Sequence, residues 1–289
     1  MSNQNLRTAE AGVFQPQLLL TVFFLFFFPC LADAADRPLR VVSMNLCTDQ
    51  FLLALADREQ IISLSPFATD KASSYLGGKA AGLPRIPGGS ESVLRLKPDV
   101  LLATQFDRKS SLKLVEKQGV KVVVLNYPGS LKEIAEQYRI IGNAIGQKQR
   151  GEQYYTRFLE TLKKSRHIFS MLKISALYYQ SGGYASGRHS LVGMLFDHIG
   201  LKNHANRHSI SYYGNVSIEE IVANPPDIFM IARYTDQSED QGHKMLEHPA
   251  LKQILAKKRV IAFPVSETVC PGPGTQGALK RLIQLRQSY

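Results

Sequence analysis

Two glutamates and two aspartates recur in this chain at one spacing. Glu91 opens ESVLRLKPDVLLAT and Glu219 opens EEIVANPPDIFMIA, and in each copy an aspartate, Asp99 or Asp227, follows eight positions later. Each pair brackets a short helical stretch and a proline, and leads into an apolar run. A glutamate in the first turn of a helix is favoured by the helix dipole, so the repeat presents two acidic points in matched settings. Other side chains that could do chemistry lack the spacing it needs. The seven histidines (His167, His189, His198, His204, His208, His243 and His248) form no H-E-x-x-H motif and no His/Asp/Glu set with ligand geometry. His204 and His208 are four apart, but Asn206 and Ser209 point to a loop. GGYASG and PGPGTQG lack the Lys-Ser/Thr ending of a phosphate loop, and residues 182–187 lack dinucleotide-loop glycine spacing. They read as tight turns feeding helix starts, whose backbone N–H groups suit an anion. No G-x-S-x-G elbow and no supported acid–base pair is present. Cys47 and Cys270 sit outside any C-x-x-C pair, which removes zinc-ribbon and thioredoxin-like readings. A disulfide, two separate buried thiols and contacts to a ligand stay open for them.

The elements that must position these residues begin after a leader. Arg7 lies in a polar stretch, Leu18 to Phe28 is apolar, and Ala32-Asp33-Ala34 has the form of a cleavage site. An eleven-residue apolar run would span about 16 Å as a helix, against a hydrocarbon layer of about 30 Å. Residues 1–34 are therefore read as a secretory signal peptide, and the remainder as an exported, soluble chain of the periplasm. Its 289 residues are 44% hydrophobic, enough for an ordinary core, and its formal net charge is +11. The basic residues are dispersed, with no block interleaved with aromatics, so nucleic-acid binding is not expected.

LRVVSMNL reads as a strand and TDQFLLALA as a helix. Strands are expected at 61–64, 100–103 and 121–125, with a helix at 110–118. This alternation argues a mostly parallel sheet covered by helices. Ser130 with Glu133 forms a capping-box pattern, and Leu131, Ile134, Ala135, Tyr138, Ile141 and Ile145 fall on one helical face. Residues 147–172 contain no proline and read as one long connector helix. The pattern then restarts: strand 174–179, helix 190–199 stopped by Gly200, strand 228–231, helix 249–256, strand 259–263 and helix 277–284. A supersecondary unit repeated about 130 residues apart indicates two similar lobes rather than a solenoid. The domain reading is 35–146 for the first lobe, 147–172 for the connector and 173–289 for the second.

Together, RVVSMNLCTDQFLLALA, IISLS and the E-x-V-L-x-L-K-P-D-V-L-L-A element resemble the first lobe of periplasmic substrate-binding proteins of ABC importers for ferric siderophores, haem and cobalamin. ISALYYQSGGYASGRHSLVGMLFDHIGLKN and VSIEEIVANPPDIFMI resemble the second. The resemblance covers nearly all of residues 39–285, in order. It implies two α/β lobes with mostly parallel sheets, joined by one long helix, with the ligand in the cleft between them. It also implies a monomeric, non-enzymatic carrier without a resident cofactor, whose ligand is a metal chelate such as a ferric siderophore, haem or cobalamin. Glu91 and Glu219 are implied to dock arginines of the permease in the inner membrane, a two-point key that sets orientation. Asn224-Pro225-Pro226 departs from the commoner Leu-Lys-Pro ahead of the second aspartate.

Ligands of open α/β sheets sit beyond the carboxyl ends of the strands. That rule nominates Asn45, Cys47, Thr48, Phe67, Gln105, Phe106 and Tyr127 from the first lobe, and Tyr179, Tyr184, Arg188, Arg233, Tyr234 and the loop around Cys270 from the second. Tyrosine and arginine suit an anionic, partly aromatic ligand. The alternatives are an exported chelatase-like enzyme, a bare zinc or manganese carrier, and a ligand-sensing subunit that contacts a membrane receptor.

Overall fold

Four parallel strands, β1 (Val41–Ser43), β2 (Ile61–Ser63), β3 (Val100–Thr104) and β4 (Lys121–Leu125), form the first sheet in the order β2-β1-β3-β4. The computed structural model describes residues 37–234 and 248–289, and the expected leader, residues 1–34, lies outside the described residues. Helices α1 (Leu46–Leu55), α2 (Ser90–Arg95), α3 (Lys109–Lys117) and α4 (Leu131–Ala144) connect and cover these strands. Every residue of β3 is buried, as expected for a central parallel strand covered on both faces.

The second sheet holds β5 (Ser175–Tyr179), β6 (Tyr184–Ser186), β7 (Lys202–Asn203), β8 (Tyr213–Asn215), β9 (Ile228–Arg233) and β10 (Arg259–Pro264). β7, β9 and β10 join β5 in a parallel series ordered β7-β5-β9-β10, while β6 and β8 add antiparallel strands. The parallel order repeats that of the first sheet, with β7, β5, β9 and β10 in the places of β2, β1, β3 and β4. β6, β7 and β8 were not expected from sequence: each is two or three residues long, too short for an alternating pattern.

The aspartate of each repeat has a matched structural task. Asp99 precedes β3, and its Oδ2 accepts the backbone N–H of Arg40, just ahead of β1, at 2.7 Å. Asp227 precedes β9, and its Oδ2 accepts the N–H and hydroxyl of Ser175, at the start of β5, at 2.7 and 2.8 Å. Each carboxylate thus fixes the register of two neighbouring central strands at their amino ends. Hydrogen bonds to an ionised acceptor are the stronger kind.

α5 (Lys148–Ser165) begins the crossover between the sheets, but it is shorter than the expected connector. The 147–172 reading is corrected: Arg166 is extended, His167 has φ +54°, and Ser170–Leu172 is a separate 3₁₀ turn. The break is held by backbone bonds from His167 and Phe169 to the carbonyls of His198 and Ile199. Those carbonyls end α6 (Leu191–Ile199), which Ser190 caps at its start and Gly200 terminates in the left-handed region at φ +82°. α4 and α5 pack closely because their crossing uses Gly142 and Gly151. A Cβ at Gly151 would lie 2.7 Å from the Tyr138 carbonyl oxygen.

The described residues of the second half also form α7 (Ile218–Ala223), α8 (Pro249–Leu255) and α9 (Pro273–Arg286). The strands sort their side chains with period two. Val42, Leu101 and Ala103 enter a cluster with α3, and Leu177, Tyr179 and Phe229 a cluster with α7 and α8. The opposite faces (Val41, Val100 and Leu102, then Ala176, Tyr178 and Met230) enter one continuous core that also takes in α1, α4, α5, α6 and α9. The two sheets therefore share a core.

The chain recrosses at residues 265–272. The Sγ atoms of Cys47, in the first turn of α1, and Cys270, in this crossing, are bonded at 2.09 Å. α9 then packs against α5 and α1, so the last helix returns to the first sheet's side. Arg281 on α9 grips the buried Glu267 carboxylate with two hydrogen bonds of 2.8 and 2.9 Å. Closing a loop of 223 residues removes unfolded-state entropy equivalent to about 5 kcal/mol in the chain-entropy treatment. Reduction, or the double substitution Cys47→Ser/Cys270→Ser, should lower the unfolding free energy by about 2–5 kcal/mol, as checked by denaturant titration with and without dithiothreitol. An unchanged midpoint would show that the bond adds nothing to the native state.

Candidate functional site

The carboxyl ends of the two central strand pairs open into two cavities. In the first sheet the strand order reverses between β1 and β3, the place where ligands bind in such sheets. Asn45 and Cys47 after β1, Thr104 at the end of β3 with Phe106 beyond it, and Tyr127 after β4 line a cavity of ≈ 220 Å³. Between β5 and β9 the same logic gives a cavity of ≈ 410 Å³, lined by Tyr178, Gln180, Tyr184, Ser186, Tyr213 and Tyr234. Val269, next to Cys270, lines both. The disulfide thus stands at the seam between them, and Cys47 itself belongs to the wall.

Local bonding fixes the first wall. Asn45 Oδ1 accepts the Cys47 N–H and caps α1. Asp107 Oδ2 accepts the N–H and hydroxyl of Thr104 at 2.6 and 2.9 Å, which tightens the turn that carries Phe106. Gln105 Oε1 accepts the Tyr127 N–H at 2.9 Å. Phe106 is 72% exposed, with its ring 6.5 Å from that of Tyr127 in an edge-on arrangement. Tyr127 meets Tyr212 of the second half at 6.2 Å, and Tyr212 lies 5.8 Å from His189. A run of rings therefore bridges the halves at one side of the cleft.

The second wall is phenolic. The hydroxyls of Tyr178 and Thr268 are 2.8 Å apart, and Tyr178 packs edge-on against Phe263. Burial drives the Tyr178 phenol well above its ordinary range, only partly offset by the Thr268 hydroxyl, and burial raises Tyr213 as well. Both phenols are neutral at any physiological pH. They offer ring faces, hydroxyl donors and hydroxyl acceptors.

Several nominated residues reach these cavities: Asn45, Cys47, Phe106 and Tyr127 in the first, Tyr184 and Tyr234 in the second. Gln105 and Arg188, again with Tyr127, line a third cavity beside the cleft. Thr48 and Tyr179 are corrected. Thr48 is fully buried, with its hydroxyl spent on Ser43 and the Asn45 carbonyl. Tyr179 is 2% exposed on the face of β5 opposite Tyr178, inside the α7–α8 cluster. Strand alternation allows only one of two adjacent tyrosines to face the cleft. Phe67 is exposed, and neither it nor Arg233 lines any of these cavities. Thr268 and Val269 belong to the nominated loop around Cys270, whereas Tyr178 and Tyr213 were not nominated. Tyr178 was separable only by the phase of β5, and Tyr213 lies on a strand too short to read.

Glu91 and Glu219 occupy the first turns of α2 and α7, helices of six residues each, so the Asn224-Pro225-Pro226 departure leaves helix length unchanged. Both are exposed. Glu91 faces Arg95 at 3.7 Å, one helical turn away and open to solvent. Glu220 is committed locally: it closes a capping box with Ser217 and pairs with His208 Nδ1 at 3.2 Å. Among the described residues no group of three or more His, Cys, Asp or Glu side chains is placed to hold a metal ion.

Beneath the first wall, Asp49 of α1 is fully buried and accepts the N–H and hydroxyl of Ser65, after β2. Burial raises its pKa from 3.8 to about 6, against the opposing pull of the Ser43 and Ser65 groups.

The sequence matches the family described as Periplasmic binding protein over residues 41–264. A cobalamin-binding protein of Halobacterium salinarum is 22% identical over 206 residues, 70% of this chain and 56% of that protein. The chain thus spans little more than half the length of that curated relative. Among solved structures, a periplasmic heme-binding protein of Roseiflexus sp. RS-1 in apo form superposes with a TM-score of 0.69 at 21% identity, covering 86% of this chain and 98% of the other. A periplasmic vitamin B12 binding protein of Vibrio cholerae gives 0.67 at 17% identity, covering 87% and 99%. At these identities the structures establish a common fold.

An acid with a raised folded pKa contributes most to stability below its unfolded pKa, and that contribution is lost as pH rises through the folded value. Relative to Asp49→Asn, the native protein should therefore lose about 3 kcal/mol between about pH 4 and pH 6, as read from denaturant titrations of both proteins across that range. Parallel pH profiles would show that Asp49 titrates normally.

Proposed function

Because the chain belongs to the Periplasmic binding protein family, we propose that it is the capture component of an ABC importer, holding an iron complex (a ferric siderophore or haem) or a corrinoid between its two lobes. The expected leader would send it to the periplasm, where it would hand the complex to a permease in the inner membrane. The observation that carries this reading is the pair of cavities at matched strand ends, ≈ 220 and ≈ 410 Å³, meeting at Val269. A site divided between two lobes encloses one ligand from both sides, and its mixed aromatic and hydroxyl lining suits a flat or caged chelate with an apolar body. Tyrosine oxygen is also a known haem-iron ligand. Binding proteins for heme and vitamin B12 share this fold, and a curated relative is named for cobalamin.

Delivery rests on Glu91 and Glu219. Each exposed ion pair contributes only about 0.2–1 kcal/mol. Their value lies in being two, one on each repeat, so that a permease with two arginine sites engages both lobes in one orientation. Glu219 rather than Glu220 fills this role, since Glu220 serves its own helix cap.

Differential scanning fluorimetry with haemin, a ferric hydroxamate siderophore and cyanocobalamin should give a stabilising shift with one of the three. Absence of any shift would contradict the capture reading. Glu91→Arg/Glu219→Arg should keep that shift and abolish uptake in cells carrying the cognate permease. Uptake at the native rate would favour a sensing subunit instead.

A further inference from the structure

The third cavity, ≈ 930 Å³, shares only Tyr127 and Pro128 with the first-lobe cavity and nothing with the second. It runs from Tyr127 and Tyr212 along α6, past Gly193 and Asp197, to the 3₁₀ turn His204–His208. Arg188, His189, Lys202, His204 and Arg207 line it, against Asp197 as the acidic residue among the described lining. Arg188, Lys202 and Arg207 are exposed, and none forms an ion pair with a described residue. Uncompensated cations on a concave wall focus the local field and raise the concentration of anions there.

A second observation concerns His204, one of the lining residues. His204 is 4% exposed, and its Nε2 is buried with no hydrogen-bond partner. Folded proteins leave few such atoms unsatisfied, and each one calls for an explanation. Burial, then the nearby charges of Arg207 and His208, hold the ring below its ordinary pKa, against the opposing pull of the Asn224 backbone and the Asp227 carboxylate. An anion beside it would favour its protonated form and draw a proton onto the ring.

We propose that this groove is a binding site for a small polyanion bearing phosphate or carboxylate groups, separate from the cleft and independent of which complex the cleft carries. Arg188, Lys202 and Arg207 supply the charge, and His204 supplies a buried hydrogen-bonding group. The cavity has the size of a small-molecule site, which fits a compact polyanion better than a polymer.

Isothermal titration calorimetry at low ionic strength, with inorganic pyrophosphate and with citrate, tests this. At least one probe should bind with one-to-one stoichiometry and with proton uptake, seen as a dependence of the heat on buffer ionisation. Lys202→Ala/Arg207→Ala should weaken binding by at least about tenfold, while the control pair Lys163→Ala/Lys164→Ala, exposed on α5, should not. The imidazole resonances of His204 should shift at saturation. No binding of either probe, equal weakening by the control pair, or unmoved His204 resonances would overturn the proposal. Equal weakening would assign the heat to the diffuse net charge of +11.

Discussion

The bond between Cys47 and Cys270 is the constraint on which the geometry of the cleft depends. Cys47 stands where the chain leaves β1, and Cys270 stands where it returns from the second sheet toward α9. Everything between these residues is closed into one covalent loop, and the closure lies in the wall of the cleft. Val269 owes its position against both cavities to this tie. Any opening of the lobes must pivot about the seam rather than separate it. The shared apolar core acts in the same direction, because α5, α6 and α9 pack into one cluster with both sheets. A covalent tie and a shared core both favour a preformed site, and preformation lowers the ordering cost of capture.

Around that seam the two halves repeat each other in detail. The parallel strand orders coincide, each central strand is latched to its neighbour by an aspartate, and each aspartate follows a six-residue helix that carries an exposed glutamate. The halves differ where specificity would be set. β6 and β8 extend only the second sheet and bring Tyr184 and Tyr213 to the cleft. The first half answers with a smaller cavity and the exposed Phe106 ring. A common frame with unequal walls lets ligand choice diverge while the two exposed glutamates keep matched places.

Much of the frame was legible in the sequence because its signals are local. Ser190 and Gly200 mark the ends of α6, and the Pro-Asp steps mark the starts of β3 and β9. The six apolar positions chosen for α4, from Leu131 to Ile145, are all buried. The connector was overextended because proline-free, helix-permissive composition carries no record of His167, whose left-handed backbone is held by contacts with the end of α6. Site residues were harder to place. Thr48 lies one position from the cleft wall and faces the interior, and Tyr179 differs from Tyr178 only in strand phase. The cysteine pairing stayed open because it depends on where two crossings meet. His204 reads as a loop histidine, because residue spacing does not report the burial of its ring.

The central claim, that one metal complex sits in the divided cleft, is tested most directly by native mass spectrometry of the protein mixed with haemin, a ferric hydroxamate and cyanocobalamin, beside Val269→Trp, which fills the junction of the two cavities. The expected result is a one-to-one complex with one of these ligands that is lost or greatly weakened in Val269→Trp while the fold is retained by circular dichroism. A complex that persists undiminished in the variant, or no complex with any of the three, would contradict it.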